Sequence, residues 1–343
     1  MNETPEPMLP RPEQHRFLTQ LLVVTLVLAF LYLILFILRE FKVILQPLCI
    51  AVLMAYAILP VHRWLTRRGF PSVLAIVVML ALILSAFFGL GALIYSNVNR
   101  IMERLPDYQD RLQRLGDSMR EMLPMELPDL SFNANQLRAV MGTFLDFFTA
   151  MAVTFVYLIF LVAERFSFPR RMVLAFGEKE GNRVLTIVDT INLAIGEYLA
   201  VKTFISFLAG VLSLMVLWFL GVDFFVMWSI LIFVLNYIPY LGSLVAIAPP
   251  IALSFLHQDL KTALAVATGL IGVQVALGNF VEPRMAGRRL GVSPLLILLS
   301  LSFWGLVWGI VGMILAVPLL VSIKIVLENI PATRPLATLM SNM

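Results

Sequence analysis

Apolar runs of membrane-spanning length alternate with short polar stretches along most of this chain. A helix of about twenty apolar residues crosses a hydrocarbon core of roughly 30 Å. Six runs have about that length, at residues 17–38, 43–61, 70–96, 147–163, 203–222 and 262–281. The pattern therefore predicts an all-α, polytopic membrane protein with about six full spans.

Two further apolar runs, residues 224–256 and 292–323, are too long for one straight span. As a single helix, the first run would measure roughly 50 Å. Proline removes an amide donor and glycine tolerates positive φ, so both residues favour a break in a helix. The interruptions are Asn236-Tyr237-Ile238-Pro239-Tyr240-Leu241-Gly242 in the first run, and Trp304-Gly305, Trp308-Gly309 and Gly312 in the second. We predict that each run forms a re-entrant helical hairpin.

A span followed by a broken run occurs twice in succession, at residues 203–256 and 262–323, which we interpret as a pair of structural repeats. A re-entrant first run inverts the orientation of everything after it until the second run restores it. Two hairpins then place more Lys and Arg residues on the cytoplasmic side than straight spans do, as the positive-inside rule favours. The repeats would be inverted, with the first hairpin entering from outside, the second from the cytoplasm, and both termini cytoplasmic.

The polar stretches divide the chain into segments. The first residues are rich in proline and charge, which is typical of a disordered tail. Apolar residues spaced three and four apart in two longer polar stretches indicate amphipathic helices. The predicted organisation is a tail at 1–16, N-terminal spans at 17–96, a small extramembrane amphipathic lobe at 97–146, a span at 147–163, a cytoplasmic amphipathic helix at 164–202, a transport core at 203–323 and a C-terminal tail at 324–343.

Composition agrees with a membrane protein and narrows the chemistry. Hydrophobic residues make up 60% of the chain and charged residues 13%, against about 25% charged residues in soluble domains. The net charge of +4 is spread over short loops and does not indicate nucleic-acid binding. Cys49 is the single cysteine, which excludes intrachain disulfides and cysteine metal sites. The three histidines are scattered, and no metalloprotease, serine-hydrolase or phosphate-loop motif is present, so we expect no enzyme activity, metal or cofactor.

The first break is the primary candidate for a solute path. Irregular backbone at membrane depth is tolerated where it is buried in protein or lines a wet cavity. We therefore predict that Asn236, Pro239, Tyr240 and Gly242 line one wall of the path. In the second break, Gly305 and Gly309 are the corresponding candidates, and their spacing fits helix packing as well as a hinge.

The span between the two hairpins is predicted to supply the facing wall. If it is α-helical throughout, one face carries Thr268, Gly272, Val275, Asn279 and Glu282, and we expect this stripe to face the bundle. The Asn279 amide can donate to and accept from a neutral solute, and Glu282 can pair with Arg284 at the membrane edge. The alternative is structural: Asn279 joins helices, and Glu282 with Arg284 forms a clamp.

These segments also carry a resemblance to a known family. The first break with Pro249-Pro250, the sequence from Gly278 to Gly287 and the sequence from Phe303 to Leu319 resemble successive motifs of the autoinducer-2 exporter family of bacterial transporters. The resemblance implies a homo-oligomeric permease of the inner membrane, and relatives suggest a pentamer. The family name comes from export of a small furanone-type signal, while other members resemble sodium or lithium ion/proton antiporters.

Three functions follow from these patterns, and export of a small, neutral or weakly anionic polar solute by alternating access is the leading one. A cation/proton antiporter normally needs an ionisable group in its path, whereas Glu197, Asp223 and Glu282 are predicted near span ends. A non-transporting scaffold that acts through the 97–146 lobe is the third alternative. The expected partners are the lipid bilayer, a small polar solute and further copies of the chain.

Overall fold

The computed structural model describes residues 12–103, 150–164, 167–286 and 291–341, with single positions at 106, 110, 113 and 114. Apart from one isolated bridge between Val292 and Ser341, the described secondary structure is helical. The described helices are α1 (Pro12–Glu40), α2 (Lys42–Arg67), α3 (Ser72–Glu103), α4 (Ala150–Glu164), α5 (Phe168–Phe219), α6 (Phe225–Leu235), α7 (Leu241–His257), α8 (Leu260–Ala276), a π-helical segment (Leu277–Val281), α9 (Glu282–Ala286), α10 (Pro294–Asn329) and α11 (Arg334–Met340). The prediction of an all-α protein is confirmed.

Long apolar helices make this a multi-pass membrane protein. Five described helical segments have the length and hydropathy to cross a membrane: α1, α3, α5, α8 with its continuation to Met285, and α10. Most large apolar side chains of α1 are exposed, as on a lipid-facing helix. At 11 and 17 residues, α6 and α7 measure about 16 and 26 Å, and each is shorter than a full span.

Several predicted boundaries differ from the helix ends. Helix α1 begins at Pro12, inside the predicted disordered tail, and α3 continues to Glu103, inside the predicted lobe. Most of the remaining lobe lies outside the described residues. Helix α5 runs through the predicted boundary at 202–203 and contains one non-helical residue, Gly177, at φ 79° and ψ 167°. The predicted C-terminal tail contains the last residues of α10 and the whole of α11. At the end of α11, the Met340 carbonyl accepts a hydrogen bond from the Ser293 amide.

Helix α5 lies at the centre of the segment predicted as the transport core. Its residues pack with α6, α7 and α8 in one apolar cluster, formed by Ile205, Ala209, Leu217, Ile232, Ala246, Ile247, Val266 and Leu270. A second cluster joins α2, α3 and α4 and includes Ala51, Met79 and Phe155. The core therefore consists of helices wrapped around the second half of α5.

Asp259 caps α8 by accepting from the Thr262 hydroxyl and amide, and these hydrogen bonds lower the pKa of the Asp259 carboxyl below its usual value.

The run at 224–256 folds back on itself as a helical hairpin, which we call hairpin 1 and which comprises α6 and α7. Its two ends meet, because the Gln258 carboxamide donates to the carbonyls of Leu220 and Gly221 at 3.0 and 3.1 Å. Its bend lies between Asn236 and Tyr240, as the sequence predicts. The chain thus leaves hairpin 1 beside the point where it entered.

Helix α10 is also bent, and its two halves form hairpin 2. Gly309, at φ 65° and ψ −145°, interrupts the helix. The buried Ser300 hydroxyl donates to the Ala316 carbonyl at 3.0 Å, although a straight helix would separate these residues by about 24 Å. The open end of the hairpin is joined by Lys324, which donates to the Gly291 carbonyl at 2.9 Å. Both over-long runs therefore fold back, and each hairpin has a hydrogen bond across its open end.

The bends of the hairpins have different surroundings. Ile238, at the bend of hairpin 1, packs with Leu301 and Ala316 of hairpin 2. The bend of hairpin 2 is held by α1 and α2, since the Trp308 indole donates to the Leu38 carbonyl and Gln46 donates to the Trp308 carbonyl, both at 2.9 Å. Hairpin 1 therefore contacts hairpin 2, and hairpin 2 contacts the N-terminal helices.

Candidate functional site

One turn of α5 gathers polar residues from both motif regions of the core. The Lys202 ammonium donates to the Glu282 carboxylate at 2.8 Å. The adjacent Thr203 hydroxyl shares a hydrogen bond of 2.7 Å with the Tyr237 hydroxyl. One turn later, the Ser206 hydroxyl accepts from the Asn236 carboxamide at 3.2 Å. We call these six residues the α5 cluster, and its members are Lys202, Thr203, Ser206, Asn236, Tyr237 and Glu282.

Burial is unequal within the cluster. The Lys202 side chain is 4% exposed, whereas that of Glu282 is 33% exposed. Ser206 and Asn236 are buried. Tyr198, one helical turn before Lys202, lies within electrostatic range of Glu282 and Tyr237. The cluster thus holds a buried positive charge whose counter-ion faces an accessible side.

The π-helical segment places Glu282 against α5. Segment Leu277–Val281 follows α8 directly and ends at Glu282. A π-helical turn inserts an extra residue into an α-helix, so residues beyond it point in a different direction from the one that α-helical spacing predicts. Glu282 consequently pairs with Lys202 of α5, instead of with Arg284 as the sequence suggested.

The predicted polar stripe on α8 does not face the bundle within this chain. Thr268, Gly272, Val275 and Asn279 are exposed. The buried face of the helix is apolar and consists of Ala263, Val266, Leu270 and Leu277. The orientation predicted for the stripe is therefore wrong for the isolated chain, because Val266, Leu270 and Leu277, and not the polar residues, pack against α5 and its neighbours.

The bend of hairpin 1 contains a strained turn at Tyr240. The Leu241 amide donates to the Pro239 carbonyl at 2.7 Å, which closes a three-residue γ-turn. Tyr240 lies at its centre with φ 62° and ψ −53°, a conformation that is rare and strained for a residue with a side chain. Tyr240 as a whole residue is 58% exposed. Strain of this kind is concentrated at functional and switching sites, which makes the bend a candidate moving part.

The two hairpins share a close backbone approach after each bend. A Cβ atom added to Gly242 would overlap the Leu235 carbonyl oxygen, and one added to Gly312 would overlap that of Trp304. Each would also lie 2.9 Å from the Cβ of the residue four positions earlier, Ile238 or Trp308. The shared geometry supports the interpretation of the two runs as structural repeats.

Of the nine residues predicted for the site, five come together and four lie elsewhere. Asn236 and Glu282 join the α5 cluster. Pro239, Tyr240 and Gly242 form the adjacent bend. The others lie apart: Asn279 and Arg284 are exposed, and Gly305 and Gly309 belong to hairpin 2 near α1 and α2.

Four residues of the α5 cluster were absent from the predicted site: Lys202, Thr203, Ser206 and Tyr237. One signal in the sequence was available for Lys202, which is the single charged residue between 198 and 222. An ionisable residue inside an apolar segment is a candidate functional residue by itself. Within the described residues, no group of three or more His, Cys, Asp or Glu side chains is placed to hold a metal ion.

Comparison with known proteins gives one consistent result. A family model described as AI-2E family transporter matches residues 21–332. The AI-2 transport protein TqsA of Escherichia coli is 31% identical over 93% of this chain and 96% of its own length. Putative transport proteins of Haemophilus influenzae and Borreliella burgdorferi are 32% and 30% identical, over 87% and 84% of this chain and 90% and 82% of their own lengths.

Proposed function

This chain belongs to the AI-2E transporter family, and on that premise we propose that it exports a small, neutral or weakly anionic polar solute across the bacterial inner membrane. Its relative TqsA is named as a transport protein for AI-2, and an autoinducer-2-like signal is therefore the first solute to test. Cytoplasmic termini and assembly into a homo-oligomer, with a pentamer as the expected form, are part of the proposal.

The convergence of both motif regions on one turn of α5 carries this proposal. Asn236 and Tyr237 come from the bend of hairpin 1, and Glu282 comes from the end of the span between the hairpins. Broken helices that meet polar groups in the middle of a bundle are the usual setting for solute sites in transporters. We infer that the solute passes the accessible side of the α5 cluster, next to Tyr240.

We propose alternating access in which the two hairpins move together against the N-terminal helices. Ile238 links the hairpins through an apolar contact, so the pair can move as one body. The boundary with the N-terminal helices includes Cys49 of α2, which packs in one cluster with Val307, Trp308 and Leu315 of hairpin 2. The proposed motion would change the distances between α2 and hairpin 2 at this boundary.

The cation/proton antiporter is a weaker candidate for the α5 cluster. The ammonium of Lys202 lies 2.8 Å from Glu282 and neutralises it, so the pair offers no net negative charge to a cation. A scaffold function requires no polar contacts between the hairpin bend and α5, and it predicts no solute movement at all.

Cross-linking in proteoliposomes loaded with autoinducer-2 tests the proposal. We expect the chain to accelerate efflux of autoinducer-2. In the variant Leu315→Cys, a reversible bifunctional methanethiosulfonate reagent that joins the new cysteine to Cys49 should stop efflux, and a reductant should restore it. The matched control carries Cys49→Ser, Ile238→Cys and Leu301→Cys, and its cross-link between the two hairpins should leave efflux intact. Undiminished efflux with hairpin 2 fully cross-linked to α2 would contradict the proposed motion, and absent efflux would contradict the proposed solute.

A further inference from the structure

The Lys202 ammonium is almost completely enclosed, and among the described residues only part of its hydrogen-bonding capacity is in use. An ammonium group carries three donors. Within the described part of the chain, Lys202 donates to one oxygen of Glu282. Two neighbouring hydroxyls, those of Thr203 and Ser206, are already bonded to residues of hairpin 1. The ammonium is therefore held in place mainly by one carboxylate.

That carboxylate is the part of the pair that solvent and solutes reach. The Glu282 side chain is 33% exposed, against 4% for Lys202. Glu282 also stands at the junction of the π-helical segment and α9, and π-helical turns are frequent at functional sites. A shift of this segment to α-helical register would turn Glu282 away from α5 while Lys202 stayed on its own helix. The counter-ion is thus positioned to be exchanged.

A buried ammonium constrains what can take the place of Glu282. Leaving the charge without a partner is strongly unfavourable in a medium of low dielectric constant. A neutral amide or alcohol supplies an acceptor but no compensating charge, whereas a second carboxylate supplies both. The group that replaces Glu282 must therefore resemble it.

Resting on the proposed transport function, we propose that Lys202 is the recognition group for a small solute that carries a carboxylate, and that Glu282 occupies this position when the solute is absent. Ser206 follows Lys202 by one turn on the same face of α5, and Thr203 belongs to the same α5 cluster; because a hydroxyl can both donate and accept, these groups can bond a hydroxyl on the same solute. The class selected by this arrangement is a small hydroxycarboxylate. The Glu282 carboxylate therefore occupies the position of the solute carboxylate and competes with it for Lys202.

Lactate and lactamide are suitable probes because they differ in charge but hardly in shape. The full chain, purified in detergent, is heated with each probe, and the midpoint of thermal unfolding is measured. We expect lactate, and not lactamide, to raise the midpoint. In Glu282→Gln, the lactate concentration that raises the midpoint by a fixed amount should be at least tenfold lower than in the wild type, because the competing carboxylate is gone.

Two variants separate recognition from general stability. The double variant Lys202→Met with Glu282→Gln removes both charges, leaves no unpaired ion and should show no shift with lactate. The matched control Lys324→Met removes another largely buried lysine that pairs with a glutamate, Glu328 at 3.2 Å, and it should respond to lactate as the wild type does. An equal response to lactamide, or a lactate response in the double variant, overturns the inference.

A flux measurement distinguishes this inference from the proposed function. Proteoliposomes are loaded with labelled lactate or with autoinducer-2, and efflux is measured for the wild type and the double variant. Lactate binding that depends on Lys202, without efflux of either compound, would contradict the transport function and leave the binding site standing. Efflux of autoinducer-2 without any binding preference for lactate over lactamide would support transport and overturn the carboxylate site.

Discussion

The ion pair between Lys202 and Glu282 should be asymmetric in its contribution to stability. Glu282→Gln removes the carboxylate and leaves the ammonium of a side chain that is 4% exposed. Removing one partner of a buried ion pair costs about 3 to 5 kcal/mol of unfolding free energy. We expect a loss near the lower end of this range, because glutamine keeps an acceptor oxygen. Lys202→Met leaves a carboxylate that is 33% exposed, where solvent screening limits the loss to about 1 kcal/mol.

Reversible unfolding of the full chain in mixed micelles, titrated with a denaturing detergent, measures these losses as free energies of unfolding. The double variant should recover most of the stability lost in Glu282→Gln, since no unpaired charge remains. The pair Lys324 and Glu328 is the matched control: the Lys324 side chain is 11% exposed but also donates to the Gly291 carbonyl, Glu328 is 41% exposed, and Glu328→Gln should therefore cost less than about 1 kcal/mol. A larger loss in Lys202→Met than in Glu282→Gln, or additive losses in the double variant, would refute the assigned burial.

Three further predictions concern the bends and the π-helical segment. Tyr240→Gly should be more stable than Tyr240→Ala by roughly 1 kcal/mol in the same titration, because glycine adopts the positive φ without strain; equal stability would contradict the γ-turn. Gly242→Ala and Gly312→Ala should each destabilise the protein by about 2 kcal/mol or more, because the added Cβ overlaps backbone. The control Gly272→Ala, with open space at its Cβ, should be neutral or slightly stabilising. A neutral result at Gly242 would exclude the close backbone approach. Deletion of Asn279 should remove the extra residue and return the segment to α-helical geometry with Glu282 still facing Lys202, so adding Glu282→Gln should cost about as much as it does in the undeleted chain; no additional loss would argue against this role of the segment.

The hairpins were predictable because their signals are local. Each run, at about 33 residues, is longer than a straight helix needs to cross the bilayer. Pro239 and Gly242 mark the bend of the first run, and Gly309 and Gly312 mark that of the second. The structure confirms that both runs fold back, through Gln258 with Leu220 and through Ser300 with Ala316. Re-entry into a membrane stays a prediction, since the fold-back by itself does not define the position of the bilayer.

The α5 cluster was less predictable because its contacts join distant parts of the chain. Lys202 and Glu282 are 80 positions apart, and their pairing depends on how α5 packs against the end of α8. The π-helical segment leaves no clear mark in the hydrophobic pattern, so a strict α-helical period placed Asn279 and Glu282 on one face. In the structure they separate: Asn279 is exposed and Glu282 reaches α5.

Relative sidedness of two loops tests the inverted hairpin pair most directly. Single cysteines replace Glu40, at the end of α1, and Lys261, after hairpin 1, in a Cys49→Ser background; both positions are exposed. A membrane-impermeant maleimide is applied to intact cells and then to opened membranes. A re-entrant hairpin 1 places Glu40 and Lys261 on the same side, so both cysteines should be labelled in intact cells. If hairpin 1 crosses the membrane, the two positions lie on opposite sides, and labelling of only one of them in intact cells would contradict the account.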